Sequence, residues 1–254
     1  MRIATWNVNS LNVRLEPLLA WLRDDPVDVI CLQETKLPDE RFPAEALAAA
    51  GYRVWFAGQK TYNGVAILSR REGRGAIRRI PGWADEQQRF LSVEIDGIRV
   101  LCVYVPNGAE VGGEKYAYKL SWLKALTAHV ETLLAEGGPV IVAGDFNIAP
   151  EDRDCYDPAA WAGQILVSEA ERAAFRALLQ GPLVDGLRQV DPRQGVYTWW
   201  DYRAGAFPRN HGLRIDHLLL STDLARRLRR GEVLRGLRGM ERPSDHAPVL
   251  LELA

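Results

Sequence analysis

Apolar runs of strand length recur along the whole chain, and this repetition limits the fold more than any other feature. They cover Ile3 to Trp6, Val27 to Leu32, Tyr52 to Phe56, Gly64 to Leu68, Phe90 to Ile95 and Ile98 to Val105. Later ones cover Val140 to Ala143, Val196 to Trp200, Leu213 to Leu220 and Ala247 to Leu251. Helical patterns interrupt them. Tyr116, Leu120, Leu123, Val130 and Leu134 keep the spacing of one helical face. Ser10 to Leu22, Ala44 to Ala50 and Ser168 to Leu179 also read as helices, the last with Ser168 and Glu171 in capping-box spacing. Ile95-Asp96-Gly97-Ile98 reads as a hairpin turn. Strands in pairs, with helices before and after, predict two sheets packed face to face with helices outside.

The chain has 254 residues and is 47% hydrophobic, enough to bury a large core. It shows no Ser/Gly/Pro-rich linker, low-complexity stretch or internal repeat, so a single domain over residues 1–254 is expected. No apolar run approaches the roughly 18 residues of a membrane span. The N-terminus lacks the apolar region of a signal peptide. Three cysteines are an odd number, and Cys31 and Cys102 sit inside apolar runs, so a reduced, cytoplasmic protein is expected. A net charge of −1 argues against nucleic-acid binding by bulk charge, although a local patch is compatible with it. Between Arg226 and Arg242, seven Arg stand against Glu232 and Glu241. A solvated surface and a DNA-facing patch both account for that segment.

The strands end in unexpected residues. "PVIVAGDFNIAP" drives an apolar run into Asp145 and Asn147, with Phe146 between them. Side chains two apart on extended backbone point the same way, so Asp145 and Asn147 can share a pocket while Phe146 faces away. A plain turn is the other reading, with Gly144 bending the chain and Pro150 closing it. The same oddity recurs, however. Asn7 ends "IATWN", Glu34 follows "VDVICLQ", and Tyr104 and Asn107 close "LCVYVPN". Asp216 interrupts "GLRIDHLLLS", and Asp245 and His246 precede the last strand. Separately, Asn7 could be a helix cap, Glu34 an exposed acid and Asp216 a paired core carboxylate. Together they are better explained by one pocket at strand ends, where chemistry is usually carried.

Carboxylates that converge repel unless a cation sits among them. The donors on offer are oxygens, Glu34 and Asp216 among them, which suits Mg²⁺ or Mn²⁺ better than Zn²⁺. No CxxC or HExxH supports zinc. Asn7, Asn107, Asn147, Tyr104 and His246 are donors suited to a phosphoryl oxygen. Metal-assisted phosphodiester hydrolysis is the reaction class this set predicts. The chain has no phosphate-binding loop of the nucleoside-triphosphate type.

The segments "TWNVNS", "LQETK", "VYVPNG", "GDFNIAP", "TWWDYR", "GLRIDHLLLS" and "SDHAPV" together resemble the exonuclease III family of apurinic/apyrimidinic endonucleases, within the endonuclease–exonuclease–phosphatase superfamily. They run in the family's order from residue 5 to residue 249. "GDFN" and "SDH" are shared across the superfamily, whereas "TWWDYR" before "NHGLRIDHLLLS" is specific to the DNA repair branch, and "KYAYKL" and "CYDPAAW" also look like that branch. The resemblance implies an α/β four-layer sandwich of two packed mixed sheets flanked by helices. It implies incision of duplex DNA 5′ to abasic sites and removal of 3′ nucleotides or 3′ blocking groups, by a monomer with no obligate protein partner. Glu34 would hold Mg²⁺ (or Mn²⁺), with Asn7, Asp216 and Asp245 close by. Asp145 would orient or deprotonate the attacking water, and Asn147 would position that water or the phosphate. His246, held by Asp245, would bond a phosphate oxygen, and Tyr104 would face the phosphate or the leaving oxygen. Asn107, Trp199 and Leu213 would bind substrate, the last two against a flipped abasic sugar, with Trp200 and Ile215 nearby. Lys115 and Lys119 would either meet DNA phosphates or be ordinary helix-surface lysines. A relative acting on RNA ends or on lipid or inositol phosphates, and a catalytically dead DNA-binding protein, are the rival expectations.

Overall fold

The computed structural model describes residues 1–254. Its strands are β1 (Arg2–Asn7), β2 (Val29–Gln33), β3 (Arg53–Ala57), β4 (Val65–Ser69), β5 (Gly73–Ile77) and β6 (Phe90–Ile95), then β7 (Ile98–Tyr104), β8 (Val140–Asp145), β9 (Leu183–Asp185), β10 (Asp216–Ser221), β11 (Leu228–Val233) and β12 (Val249–Leu253). Its helices are α1 (Leu11–Asp24), α2 (Ala44–Ala49), α3 (Glu114–Ala135), α4 (Pro158–Trp161), α5 (Glu169–Leu179), α6 (Gly186–Val190), α7 (Thr222–Ala225) and α8 (Arg235–Arg238). One six-stranded sheet has the order β11-β12-β1-β2-β4-β3 and the other β5-β6-β7-β8-β10-β9. Each mixes parallel and antiparallel pairs, and β1 pairs with β12.

Most central strands are buried on both faces, which explains their nearly continuous apolar runs. Between the sheets lie Ile3, Val29, Cys31, Val65 and Ile67 from one side and Val93, Val100, Cys102, Ile141 and Leu218 from the other. The outer face of the first sheet packs Ala4, Trp6, Ile30 and Leu32 against Leu11, Leu18 and Leu22 of α1. The outer face of the second packs Leu101, Val103, Val142 and Leu219 against Trp122, Leu123 and Leu126 of α3 and Phe175 of α5. Helix, sheet, sheet and helix are therefore the four expected layers. The Ser168–Glu171 capping box starts α5 as its spacing predicts.

Two expected strands differ. Val196 to Trp200 is not a ladder strand, and Trp199 makes only single bridges, to Leu213 and His246. The run expected from Leu213 to Leu220 pairs as a strand only from Asp216. The cause is local: the Thr198 hydroxyl accepts from the backbone N–H groups of Ile215 and Asp216 (3.0 and 3.1 Å), donors that a neighbouring strand would otherwise use. In the other direction, the arginine-rich segment contains β11, an edge strand on β12. Edge strands rich in charge resist pairing with other chains. Arg235 and Arg238 serve packing: Arg235 lies over Trp200 and Phe207, and Arg238 lies over Tyr202 and Phe207. No helix is long and apolar enough to cross a membrane.

Candidate active site

The pleat alternation that builds the inter-sheet core also builds the site. In β1, Ile3 and then Thr5 face the seam, and the next position in phase is Asn7. In β8, Ile141 and Ala143 lead to Asp145. In β7, Val100 and Cys102 lead to Tyr104, and in β10, Leu220 and Leu218 lead to Asp216. Register then lines them up, because Tyr104 pairs with Asp145 and Asp145 with Asp216 across three neighbouring strands. Gly144 permits the close approach of β8 to β7, since a Cβ there would lie 1.9 Å from the Val103 carbonyl oxygen. The apolar seam thus becomes polar at one end, in the last inward position of each strand.

Asn7 ties the two sheets together there. Its Nδ2 donates to Glu34 Oε1 (2.9 Å) and to Asp145 Oδ2 (2.8 Å). Glu34 follows β2 in a left-handed conformation (φ 50°), which turns its side chain into the seam. Burial pushes its carboxyl up, but the Asn7 bond and Lys36, 2.9 Å away, together hold it below the ordinary range. Asn147 also has φ 50°. Its backbone N–H donates to Asp145 Oδ1 (2.8 Å), and its amide donates to the Val105 carbonyl (3.0 Å) and accepts from Asn107 (3.3 Å). Phe146 points away, into the core under α5. Asp145 and Asn147 are therefore joined through an Asx-type turn, with Asn147 left-handed and not on extended backbone, so the turn reading of this stretch holds in part and brings the Asn147 amide next to Asp145.

The expected partner of His246 is corrected. Its Nδ1 lies 2.8 Å from Asp216 Oδ2, not against Asp245. Thr198 donates to that same Asp216 oxygen at 2.6 Å. Asp245 instead accepts from Trp199 Nε1 (3.0 Å) and Asn9 Nδ2 (2.9 Å). The reason is the chain direction: the Trp199–His246 bridge turns His246 into the seam and its neighbour the other way. Burial alone would lower the imidazole pKa, but Asp216 and Asp145 outweigh it and His246 is raised to about 10. The raised value favours the protonated ring as a proton donor, and Asp145, Asp216 and His246 also cluster closely enough to hold an ion between them. The Asp145 carboxyl is pushed up to about 7 by burial and by Asp216, against the opposing pull of His246. Tyr104 is held well above its usual value by burial and by Glu34 and Asp145, so it is a neutral phenol, and the Arg89 guanidinium lies over its ring at 4.6 Å.

Asp216 commits Oδ2 to His246 and Thr198, while its Oδ1 is buried without a partner and is open to a cation, as expected of a ligand. Glu34 and Asp245 are joined through Lys36 and Asn9, where Lys36 Nζ donates to Asn9 Oδ1 at 2.6 Å. Four carboxylates (Glu34, Asp145, Asp216, Asp245) face two cations (Lys36, His246), which leaves an excess of two negative charges when all are ionised. Oxygen donors with that excess fit a divalent cation such as Mg²⁺.

The expected substrate wall is half present. Trp199 is partly exposed beside Asp245, but Leu213 is fully buried and supports Trp199 from behind. Trp200 and Ile215 are buried too. Asn107 is exposed at the rim. Next to Glu34, Tyr104 and Asn107 runs a groove of ≈ 570 Å³ that includes Lys36, Arg89 and Lys115. Lys115 is exposed there, whereas Lys119 is sealed inside the protein and meets no ligand. Asn9, Lys36 and Thr198 lie within the segments that carry the resemblance, yet no pattern marked them as partners of other site residues. Arg89 has no sequence signal.

Beneath the site, Arg214 bonds Asp154 (2.7 Å) and Asp185 (2.7 Å), and Arg188 also reaches Asp154. His217 completes this strut, with Nε2 2.9 Å from the Ile148 carbonyl and Nδ1 3.0 Å from Arg214. A carbonyl can only accept and a guanidinium only donate, so Nε2 carries the proton and the ring is neutral. Burial and Arg214 lower its pKa to about 4, against 6.5 when free. The unfolded chain therefore binds a proton in this window that the folded chain refuses, and the resulting stability is present above pH 6.5 and lost as pH falls toward 4. His217→Gln keeps both bonds without titrating. The thermal-stability lead of wild type over this variant should shrink between pH 6.5 and 4, and a constant difference would refute the neutral assignment.

A model of the Endonuclease/Exonuclease/phosphatase family matches residues 4–246. An exodeoxyribonuclease of Bacillus subtilis (strain 168) is 35% identical over 257 residues, covering 99% of this chain and 98% of its own. A variant of the 3′ phosphatase NExo from Neisseria, solved with a product DNA hairpin, is 46% identical with a TM-score of 0.98, covering 100% of this chain and 99% of the other. An AP endonuclease from Archaeoglobus fulgidus is 35% identical with a TM-score of 0.97, again covering 100% and 99%.

Proposed function

The chain belongs to the endonuclease/exonuclease/phosphatase family, and from that premise we propose that it is a metal-dependent DNA-repair phosphodiesterase that incises duplex DNA 5′ to abasic sites and clears nucleotides or blocking groups from 3′ ends. The observation that carries this reading is the pairing of a proton acceptor and a proton donor across one small space. Asp145 Oδ2 and His246 Nε2 are 3.8 Å apart, each with its orientation fixed by other residues. Relatives named for the exodeoxyribonuclease, 3′ phosphatase and AP endonuclease activities support DNA over RNA ends or lipid phosphates.

In this reading, Asp145 takes a proton from water as its oxygen bonds to phosphorus. Its raised pKa makes it a better base than an ordinary carboxylate. His246 donates to a non-bridging phosphoryl oxygen as negative charge grows there. The Asn107–Asn147 amide pair fixes the phosphate or the water. The bond to the 3′ oxygen breaks, and the neutral Tyr104 phenol stands where that oxygen can receive a hydrogen bond. Glu34 and Asp245, with Asn7 and the free Asp216 oxygen nearby, would hold a divalent cation, which would supply Lewis-acid stabilisation of developing negative charge. Trp199 faces the sugar that lacks its base.

The test is a time course with Mg²⁺ on a duplex bearing one abasic analogue and on a nicked duplex ending in a 3′ phosphate, beside RNA and phosphoinositide controls. Cleavage of both DNA substrates and neither control is the expected result. Preference for a control would sink the reading. Activity should vanish in EDTA and return with Mg²⁺, and Glu34→Gln should raise the Mg²⁺ concentration needed for half-maximal rate. Full activity in EDTA would remove the metal from the account.

A further inference from the structure

Lys119 lies in the second turn of α3 with its side chain entirely buried, an expensive place for an ammonium. Its three hydrogens are all used. Nζ donates to the Asn147 carbonyl (2.7 Å), to the Asn107 carbonyl (3.1 Å) and to Glu171 Oε1. The first two acceptors come from loops that are 40 residues apart in the chain and carry the hydrogen-bonded Asn107–Asn147 amide pair. Glu171 is itself fixed, because its carboxylate accepts from the backbone N–H groups of Leu166 (3.0 Å) and Ser168 (3.1 Å) and from the Ser168 hydroxyl, which also bonds Tyr116. Gly108 folds over the lysine stem at φ +96°, where an added Cβ would lie 3.2 Å from Lys119 Cδ.

An ion pair used only for stability would need no backbone carbonyls. An apolar residue of the same volume would often serve as well. The arrangement here differs because the ammonium binds the main chain of both active-site asparagines at once. It also anchors Asn147 in a left-handed conformation that a non-glycine residue keeps only when its surroundings hold it. We propose that Lys119, oriented by Glu171, is a positioning residue that clamps the Asn107 and Asn147 loops in the spacing needed for the chemical step, without touching substrate. This inference rests on the phosphodiesterase reading above, since it assigns the two amides to the phosphate or its water.

Two variants test it. Lys119→Met removes the clamp but leaves Glu171 without its partner, so Lys119→Met with Glu171→Gln is made beside it. The pair leaves no unmatched buried charge and keeps one acceptor oxygen for the Ser168 N–H and hydroxyl, with only the Leu166 N–H losing its acceptor, which keeps the fold within reach. Each is checked by thermal melting and assayed below its transition. The expected result is a loss in single-turnover rate of about tenfold or more, the scale of a small misplacement of catalytic groups, with Kd for a 3′-phosphate duplex within about twofold of wild type. In a background carrying both Asn107→Ala and Asn147→Ala the same Lys119→Met change should alter the rate by less than about twofold, because both amides it acts through are already gone. Wild-type rates in the folded Lys119→Met/Glu171→Gln variant, or an undiminished loss in the background lacking both asparagine side chains, would overturn the clamp. Absence of nuclease activity in wild type would instead overturn the functional reading on which it rests.

Discussion

Asp145→Asn lowers kcat on an abasic or 3′-blocked duplex by about 10²–10⁴-fold, the range supplied by a positioned acid or base, and leaves Kd unchanged or lower. The substitution keeps the acceptor for the Asn147 backbone N–H but removes the charge, the basicity and the oxygen that accepts from Asn7. Asp145 is buried among Asp216 and Glu34, so it repels a phosphate backbone, and neutralising it cannot weaken attraction to DNA. Asn147→Ala should also act on kcat. The two serve one water and one phosphate, so the double variant should be little slower than the slower single variant. Single-turnover cleavage and equilibrium binding at fixed salt separate these quantities, since DNA affinity depends steeply on ionic strength. Independent multiplication of the two losses, or collapse of binding in Asp145→Asn, would dissolve the shared pocket.

His246→Ala should cost roughly 2.7–4 kcal/mol in transition-state stabilisation, as for removal of an oxyanion donor. Asp216→Asn should approach the same loss, because Asp216 and not Asp245 holds the imidazole. It is also the largest influence keeping that ring charged. Without it the His246 pKa falls from about 10 toward its free value of 6.5, so the alkaline limb of the rate profile moves to lower pH. His246→Ala with Asp216→Asn should be close to His246→Ala alone. Asp245→Asn should behave differently. It disturbs Trp199 and Asn9, so its effect should appear in the Mg²⁺ requirement and in binding of the abasic sugar. A normal pH profile in Asp216→Asn, with the shift appearing in Asp245→Asn, would restore the Asp245–His246 partnership that the resemblance implied.

The sequence alone determined the layers and which strands end in polar residues at one end of the seam. Apolar runs of fixed length are a local property, and pleat alternation carries inward-facing phase along each strand, so Asn7, Tyr104, Asp145 and Asp216 were legible as polar endings of buried strands. The segments around them were equally legible as a family resemblance. Pairing was not legible, because a hydrogen bond depends on where two distant strands cross. The tertiary structure gave His246 to Asp216 across 30 residues instead of to its neighbour, and Asp245 to Trp199 across 46. It also placed Leu213 behind the pocket wall, and turned Lys119 from a surface lysine into a buried one. The register of an irregular segment such as Val196 to Trp200 is set by a side-chain hydroxyl, that of Thr198, which competes with a strand for the same N–H groups. Composition cannot reveal that competition, because only the folded chain brings Thr198 within reach of Ile215 and Asp216.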